Sequence, residues 1–254
     1  MELNQICTNG ILEFTIRNDI GYLSINNPPL NKMPEPAIAT AQELKLWFSE
    51  PTLRGVILYS TARHFSMGAD VDFVNEAKHD AELLKRKMRE GRETFDALYQ
   101  CPVPVVAAIQ RGCFGGGLEI ALSCHIRVAS ENAQFGFPES TLGFMPGLGG
   151  TCLAERIVGS NLARRMILKG NLISADEALE AGLIHYLTDN KSLLATAEKV
   201  LNEMITNKSP DLIRKIVKSI NNSIYLEIDD ALEKEQQAFC ELLIQNMPDE
   251  EHAS

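Results

Sequence analysis

Two short stretches near the start of the chain, residues 11–17 and 20–26, are rich in apolar and β-forming residues. Asn18-Asp19 lies between them, and both residue types are frequent in two-residue turns. The pattern therefore predicts a β-hairpin. A helix is expected over residues 36–49, with a proline at its start. The apolar run GVILYS at residues 55–60 is short for a helix and predicts a buried strand.

The order strand, glycine-bearing loop and helix occurs twice in the middle of the chain. Residues 63–72 are expected to form a loop after the strand at 55–60, and residues 81–99 a helix with one apolar face. Residues 104–110 (PVVAAIQ) predict a second buried strand, which leads through a glycine cluster to a helix beginning at Leu118-Glu119. This alternation, up to about residue 190, favours an α/β fold with crossover connections.

The pattern changes after residue 190. Three helical stripes of apolar residues follow, formed by Leu194, Ala197, Leu201 and Met204, by Leu212, Ile216 and Ile220, and by Ile228, Leu232, Phe239 and Leu243. We therefore expect an α/β body over residues 1–190 and a helical C-terminal region over residues 191–254. From the pattern alone, this region could pack against another subunit or form a lid on the same core.

Composition narrows the class of protein. The 254 residues are 45% hydrophobic and 23% charged, which is typical of a globular chain and excludes a disordered one. The net charge of −10 and the lack of a basic run argue against nucleic acid or an anionic membrane surface as a partner. No apolar run is long enough to predict a transmembrane helix, and the N-terminus does not resemble a signal peptide. We therefore expect a cytoplasmic location.

Cysteine and histidine give little sign of metal or nucleophile chemistry. The six cysteines form no CxxC pair and no Cys/His ligand spacing, so reduced thiols and no metal site are predicted. Neither His64 nor His125 has a nearby Ser/Asp or Cys residue in an arrangement of the catalytic type, so a structural role is expected for both. Cys113 and Cys152 are expected to be small buried or loop residues.

A glycine cluster, Gly115-Gly116-Gly117, stands between the strand at 104–110 and the following helix. Glycine lets a backbone N–H approach a ligand closely, and the first turn of a helix adds unpaired N–H groups. The cluster is therefore a candidate site for a developing negative charge, such as an enolate oxygen. A tight turn without function is the alternative. Gly68-Ala69-Asp70 could supply a second backbone N–H, or be a plain turn.

Two glutamates are candidates for proton transfer. Glu119 lies in the first turn of the helix after the glycine cluster, where a surface glutamate near the helix dipole is the alternative. Glu139 follows Phe137-Pro138 in an apolar loop, where burial of a carboxylate is costly without a partner. If the two converge, they can hold one water and move its protons, and their mutual repulsion keeps one partly protonated near neutral pH.

Short motifs along the chain carry a family resemblance. They are RHFSMGAD at 63–70, PVVAAI at 104–109, GGGLEIA at 115–121, AQFGFPE at 133–139, LG at 142–143, PGLGGT at 146–151, SADEA at 174–178 and AGLI at 181–184. In order and spacing, over roughly residues 11–245, they resemble the crotonase superfamily, which is the enoyl-CoA hydratase/isomerase family.

The resemblance implies a spiral of ββα units with a C-terminal helical region that forms trimers, often paired into hexamers. It implies a thioester whose carbonyl oxygen lies between two backbone N–H groups, here those of Ala69 and Gly116. Hydratases of the family use two glutamates, and both motif positions are glutamates here, Glu119 and Glu139. The residues at the family's substrate- and CoA-binding places are Pro29, Leu30, Met33, Gly68, Asp70, Val71, Gly115 and Gly117.

The activity that the resemblance implies is addition of water across the C2–C3 double bond of a 2-enoyl thioester, which is a lyase reaction. No metal or redox cofactor is expected, because CoA or the phosphopantetheine of an acyl carrier protein belongs to the substrate. Other reactions of the family remain alternatives, namely double-bond isomerisation, or dehydration or decarboxylation of an acyl thioester in fatty-acid or polyketide metabolism. A noncatalytic thioester-binding paralogue is a further alternative.

The chain departs from the usual family pattern at several positions. His125 stands where Asp is usual, Phe137 where Gln is common, Cys152-Leu153 where Gln-Arg is usual, and Val71-Asp72 where a basic residue is frequent. Many members also continue into a lysine-bearing helix near the CoA phosphates, and the shorter tail here would suit a carrier protein. These differences concern acyl and nucleotide contacts, and they leave both glutamates and Gly116 unchanged.

Overall fold

The computed structural model of the protein describes residues 3–7, 10–77 and 79–245. The strands are β1 (Leu3–Ile6), β2 (Leu12–Arg17), β3 (Ile20–Ile25), β4 (Lys32–Met33), β5 (Gly55–Ser60), β6 (Gly68–Ala69), β7 (Val105–Ile109), β8 (Gly112–Phe114), β9 (Ile126–Ser130), β10 (Gln134–Gly136), β11 (Ile173–Ser174) and β12 (Tyr186–Thr188). The helices are α1 (Ala41–Phe48), α2 (Val71–Ala77), α3 (Ala81–Tyr99), α4 (Gly116–Leu122), α5 (Gly150–Leu168), α6 (Ala175–Glu180), α7 (Leu193–Ile205), α8 (Pro210–Tyr225) and α9 (Ile228–Gln245), with a 3₁₀ helix at Pro138–Leu142. Within these described ranges, no helix combines the length and the apolar character needed to cross a membrane.

A seven-stranded sheet forms the main layer of the fold, in the order β1-β2-β3-β5-β7-β9-β12. The first three strands pair antiparallel, and β3, β5, β7, β9 and β12 pair parallel. Parallel neighbours need crossover connections, and helices α1, α3 and α4 lie in the connections that link β3, β5, β7 and β9.

Short strands form a second, smaller layer. Each of β3, β5, β7 and β9 is followed in the chain by one short strand, which is β4, β6, β8 or β10. β4 pairs with β6, and β10 pairs with β8 and β11. A single bridge between Ser66 and Cys113 joins the two sets. The result is an α/β spiral of ββα units followed by C-terminal helices, which confirms the predicted fold class.

The hairpin predicted near the start of the chain is confirmed. β2 and β3 pair antiparallel, with Arg17 opposite Ile20. Asn18 and Asp19 have φ values of 50° and 64°. A type I′ turn requires positive φ at both central residues, and Asn and Asp tolerate this conformation better than most side chains.

Helix α3 has the predicted bounds, whereas α1 begins later than predicted. The expected start was residue 36, and the structure places it at Ala41. Thr40 caps the helix, because its hydroxyl accepts from Glu43 N at 3.1 Å while the Glu43 carboxylate accepts from Thr40 N at 2.7 Å. This reciprocal capping box satisfies two N–H groups at the helix start and sets the boundary.

Two further boundaries near the glycine loops differ from the prediction. The expected loop at 63–72 contains β6 and the start of α2, because β6 forms by pairing with β4, a long-range contact that a local pattern does not reveal. α4 begins at Gly116 rather than at Leu118. Gly115 is the residue before the helix, and its φ of 51° and ψ of −125° are accessible to glycine.

Helix α7 packs against the centre of the main sheet. Gly55 begins β5, and a Cβ at this residue would lie 2.5 Å from Cδ1 of Leu201, which belongs to α7. Glycine therefore permits the close approach of this helix to the strand. The predicted division at residue 190 falls between β12 and α7, and it remains a prediction about domain organisation.

Helices α8 and α9 pack on each other and leave large apolar side chains at the surface. The buried face of α8 consists of Ile213, Val217 and Asn221. Apolar residues that are between 42% and 63% exposed in the single chain include Ile216, Ile220, Ile228, Leu232, Phe239 and Leu243. Two of the three predicted stripes therefore lie largely outside the core of the protomer.

Candidate active site

Gly115 lets Glu139 approach the start of α4. Gly115 N donates to Gly136 O at 2.9 Å, which joins the helix start to the strand that leads to Glu139. A Cβ on Gly115 would lie 2.5 Å from Glu139 Oε1. The positive φ of Gly115 and this close approach both require glycine.

The backbone N–H groups of Ala69 and Gly116 lie near each other. Gly116 is the first residue of α4, so its N–H has no acceptor within the helix. A Cβ on Gly116 would lie 3.8 Å from Ala69 N, and a Cβ on Gly68 would lie 3.4 Å from Gly116 N. The two predicted donors are therefore neighbours, although they belong to different ββα units.

Met33 covers the space next to Gly116. It is 2% exposed and pairs with Ala69 in the ladder between β4 and β6. Its Cε occupies the place that a Cβ on Gly116 would take. A thioester that reaches both N–H groups would therefore contact the Met33 methyl group or displace it.

Glu119 is held by the loop before α5. Its side chain is 2% exposed, and Oε1 accepts hydrogen bonds from Leu148 N at 2.7 Å and from Gly150 N at 2.8 Å. Burial raises the pKa of Glu119, and the two backbone donors oppose that rise because they stabilise the carboxylate. One oxygen of this side chain is thus fixed in place by the main chain.

Glu139 has a different environment. It is 7% exposed, and its buried Oε2 has no hydrogen-bond partner in the described part of the chain. Burial raises the pKa of Glu139 to about 7, its own backbone N–H opposes the rise, and the charge of nearby Glu119 adds to it. A carboxyl with a pKa near neutrality can donate or accept a proton at physiological pH. Because the charge of Glu119 acts on Glu139, the two predicted glutamates lie near each other in the structure.

Six of the eight predicted substrate- and CoA-binding residues lie in β4, in β6, next to these strands or at the start of α2, and they are Pro29, Leu30, Met33, Gly68, Asp70 and Val71. The other two, Gly115 and Gly117, lie at the start of α4. Leu30 O accepts from Met67 N at 3.1 Å, and Asp70 N donates to Met33 O at 2.8 Å. Lys32 Nζ lies 3.4 Å from Asp70 Oδ1. These residues form one continuous edge beside Ala69, and their contact with a substrate remains a prediction.

Leu148 and Gly150 are site residues that the sequence analysis did not assign. Both belong to the matched motif at 146–151, but its spacing does not show that their N–H groups hold Glu119. A Cβ on Gly150 would lie 3.0 Å from Glu119 Cγ and 2.7 Å from Phe137 Cε1. The feature of the sequence that could have pointed to these two residues is the Gly149-Gly150 pair at the start of α5, because glycine permits such a close approach.

The two histidines have the structural roles that were predicted. His64 Nδ1 accepts from Gly112 N at 3.1 Å, and His125 Nδ1 accepts from Val105 N at 2.9 Å. Burial lowers the pKa of both side chains. In the ranges that the structure describes, no group of three or more His, Cys, Asp or Glu side chains could hold a metal ion.

Phe137 and two of the cysteines considered in the sequence lie in different settings. Phe137 is fully buried and packs beside Gly150. Cys113 is buried in β8, as expected. Cys152 is exposed within the first turn of α5, so the expectation that it is a buried or loop residue was wrong. The helix reaches this position because it begins at the second glycine of the Gly149-Gly150 pair.

Comparisons with known proteins show the family of the chain. The family model of enoyl-CoA hydratase/isomerase matches residues 15–250. A probable enoyl-CoA hydratase of Bacillus subtilis (strain 168) is 31% identical over 225 residues, which are 87% of this chain and 86% of that protein. A short-chain-enoyl-CoA hydratase of Clostridium acetobutylicum is 38% identical over 180 residues, which are 70% of this chain and 67% of that protein. The solved structure of Pseudomonas aeruginosa DspI has a TM-score of 0.84 and 28% identity, covering 92% of this chain and 88% of that one. The chain therefore belongs to the enoyl-CoA hydratase/isomerase family of the crotonase superfamily.

Proposed function

We propose that this protein is a hydratase that adds water across the C2–C3 double bond of a 2-enoyl thioester. The observation that carries the proposal is the pair of buried glutamates. Glu119 is held by two backbone donors, and Glu139 has a pKa of about 7. Two relatives named as enoyl-CoA hydratases, 31% and 38% identical to this chain, support the same class of reaction.

In the proposed reaction, the thioester oxygen accepts hydrogen bonds from the N–H groups of Ala69 and Gly116. Attack of water at C3 moves negative charge onto that oxygen and forms an enolate. Donors that are already in place stabilise the developing charge without reorganisation, and losing one such donor elsewhere costs ~10²–10³ in rate. The neighbouring positions of the two peptide groups support this role.

The surroundings of the two glutamates suggest different roles. Glu119, whose carboxylate is stabilised by backbone donors, takes a proton from the water as the water oxygen bonds to C3. The electron pair of the double bond moves into the enolate, and protonated Glu139 then donates its proton to C2. The cycle closes when the proton gained by Glu119 is returned to Glu139.

The proposed substrate brings its own carrier. Hydration involves no net oxidation or reduction, so we propose that no redox cofactor takes part. CoA, or the phosphopantetheine of an acyl carrier protein, would lie along the edge formed by β4 and β6. The acidic Asp70 in this edge is paired with Lys32, which supplies a positive charge there.

We also propose that α8 and α9 mediate self-association into a homotrimer or a dimer of trimers. Their exposed apolar residues, such as Phe239 at 60% and Ile228 at 63%, form more apolar surface than a lone protomer needs. Burial of this surface against another copy would be favourable because it removes apolar area from water.

Purified protein assayed with short- and medium-chain 2-enoyl-CoAs tests the proposed reaction. Hydration is followed by loss of the conjugated enoyl absorbance and by the mass of the 3-hydroxyacyl product. Glu119→Gln and Glu139→Gln should each keep the fold and lose ~10²–10⁴-fold in turnover, because each removes one acid/base group. Glu131→Gln changes an exposed glutamate outside the site and should keep full turnover.

The products distinguish the alternatives. Isomerisation needs only one proton-transfer group, so native conversion of a 3-enoyl thioester by the Glu119→Gln protein would indicate an isomerase that uses Glu139. A protein inert towards the whole panel, on CoA and on carrier phosphopantetheine, would indicate a noncatalytic paralogue. Near-native hydration by either glutamine variant would contradict the role of that glutamate.

A further inference from the structure

Ser66 lies between the two segments that contain the proposed oxyanion donors. It is fully buried in the loop between β5 and β6. Its backbone is joined to β8, because Ser66 N donates to Gly112 O at 3.2 Å and Phe114 N donates to Ser66 O at 3.0 Å. β8 leads directly to Gly116, so these bonds fix the segment of the second donor.

The hydroxyl of Ser66 is joined to the segment of the first donor. Ser66 Oγ donates to Asn31 O at 2.7 Å and accepts from Gly68 N at 3.2 Å. Asn31 precedes β4, and Gly68 precedes Ala69 in β6. Since β4 and β6 pair with each other, one hydroxyl fixes both strands.

Asn31 is itself anchored to the main sheet. It is fully buried, and its Nδ2 donates to Ile25 O at 3.1 Å, to Ser60 Oγ at 2.7 Å and to Phe65 O at 3.2 Å. Ile25 and Ser60 are the last residues of β3 and β5. The acceptor of the Ser66 hydroxyl is therefore held by two central strands of the core.

The first turn of α4 packs directly against Ser66. A Cβ on Gly117 would lie 2.6 Å from Ser66 O and 2.8 Å from Ser66 Oγ. A Cβ on Gly68 would lie 2.7 Å from Phe114 O. The two donor segments are thus in direct contact through Ser66 and its neighbours.

We infer that Ser66 is a positioning residue that sets the spacing between the N–H groups of Ala69 and Gly116. The inference rests on the proposed function, because it concerns how strongly these groups polarise a thioester carbonyl. Removal of the hydroxyl leaves Asn31 O and Gly68 N without this partner, whereas the backbone bonds to β8 remain. The first donor can then move relative to the second, and such misplacement lowers the rate more than the binding.

A chromophoric substrate analogue measures this polarisation without turnover. We would titrate an aryl-conjugated enoyl-CoA, whose absorption moves to longer wavelength when its carbonyl is polarised, into wild type and variants. Ser66→Ala should lose most of the shift and lower kcat about 10- to 100-fold, with KM changed by less than about threefold. Ser130→Ala is the matched control, because Ser130 is equally buried and its hydroxyl bonds Asn132 Oδ1 at 2.7 Å outside the site. It should keep both the shift and kcat.

Several outcomes would overturn the inference. A folded Ser66→Ala protein with the native shift and native kcat would do so. An equal loss of shift in Ser130→Ala would also do so, because it would indicate general loosening of the fold. If Ser66→Ala does not fold, Ser66→Cys provides the test with a weaker donor and acceptor, and a native shift in that variant would count against the inference.

The design separates this inference from the proposed function. If wild type shifts the absorption of the analogue, Ser66→Ala loses the shift and neither protein hydrates an enoyl-CoA, the proposed function fails while the role of Ser66 stands. If wild type hydrates enoyl-CoA and Ser66→Ala changes neither readout, only the role of Ser66 fails. Binding of the analogue to wild type without any shift would overturn the role of Ser66 as well.

Discussion

The backbone N–H of Gly150 donates a hydrogen bond of 2.8 Å to Oε1 of Glu119. Gly150 is the first residue of α5, and Glu119 lies in the first turn of α4, so the bond joins the starts of two helices. The space around it is filled. A Cβ on Gly150 would lie 2.7 Å from Phe137 Cε1, 2.8 Å from Pro146 Cβ and 3.0 Å from Glu119 Cγ. The position of the carboxylate therefore depends on the absence of a side chain at residue 150.

Gly150→Ala should displace Glu119 and lower kcat about 10- to 100-fold, because small misplacements of a catalytic group are costly. Gly147→Ala is the matched control in the same loop, since a Cβ there meets only the flexible end of Met88. Both variants are assayed with an enoyl-CoA, and their thermal unfolding is compared. Equal, native kcat in the two proteins would show that Gly150 does not position Glu119.

The pH profile should report Glu139. Hydration requires this carboxyl in its protonated form, and its pKa is about 7. The value of kcat/KM, which reports the free enzyme, should therefore fall as the pH rises through about 7. The Glu139→Gln protein should have a much lower kcat/KM and no decline at that pH. A wild-type kcat/KM that stays constant across this pH range would show that the protonation of Glu139 does not control the reaction.

The same carboxyl should lower stability at alkaline pH. Its folded-state pKa of about 7 lies above the ordinary value of 4.5, so the folded protein binds this proton more tightly than the unfolded chain does. The resulting stabilisation is complete below about pH 4.5 and is lost as the pH rises through about 7. Glu139→Gln should therefore exceed wild type in free energy of unfolding by up to about 3 kcal/mol at pH 8, and by under about 1 kcal/mol at pH 5. Urea unfolding at both pH values measures the difference, and a difference independent of pH would argue against the raised pKa.

Self-association should depend on the exposed apolar face of α8 and α9. Sedimentation of the wild-type protein at micromolar concentration is expected to show a trimer or a pair of trimers. Phe239→Glu, on α9, should produce smaller species, because it places a charge in the apolar surface. Leu46→Glu is the control, since Leu46 is similarly exposed on α1, with 66% compared with 60% for Phe239. A wild-type protein that sediments as a stable monomer would contradict the proposal.

Local patterns predicted the elements whose stability is local. Helix α3 has the expected bounds because an apolar stripe and the capping residue Asp80 both lie within its own sequence. The β2–β3 hairpin is likewise determined by two β-rich stretches and by Asn18-Asp19 between them. Local features of the sequence made the two glutamates and the two glycine-bearing segments candidates with structural alternatives, and the resemblance to a family assigned their roles.

Contacts between distant segments could not be predicted in this way. β4 and β6 have two residues each, and they exist only because they pair with each other. The hydrogen bonds that fix Glu119 come from the backbone of Leu148 and Gly150, and a backbone donor leaves no residue-type signal beyond a nearby glycine. Many of the hydrogen bonds that hold the site residues in place therefore come from the main chain, and sequence patterns do not reveal such bonds.

Gly116 allows a sharp test of backbone catalysis, because its N–H is used by no helical hydrogen bond. It is the first residue of α4, a position where proline is tolerated and its missing N–H leaves no gap in the helix. Gly115 before it has φ 51° and ψ −125°, a conformation that only glycine adopts readily. The hydrogen bonds of α4 should therefore tolerate Gly116→Pro, which removes one oxyanion donor and, like Gly116→Ala, adds a Cβ at the place of Met33 Cε.

We expect Gly116→Pro to lose turnover by at least ~10²–10³-fold, which is the effect of removing one such donor elsewhere. Gly116→Ala keeps the N–H, but its Cβ takes the place of Met33 Cε, so turnover should be strongly impaired and not abolished. Turnover with an enoyl-CoA, circular dichroism and oligomer size are measured on both variants. A folded Gly116→Pro protein with native turnover would show that the glycine cluster is only a turn, and the enolate would then need another source of stabilisation. Both variants add a Cβ at the place of Met33 Cε, and only proline removes the N–H, so a much larger loss in a folded Gly116→Pro protein than in Gly116→Ala would assign the difference to that single backbone N–H.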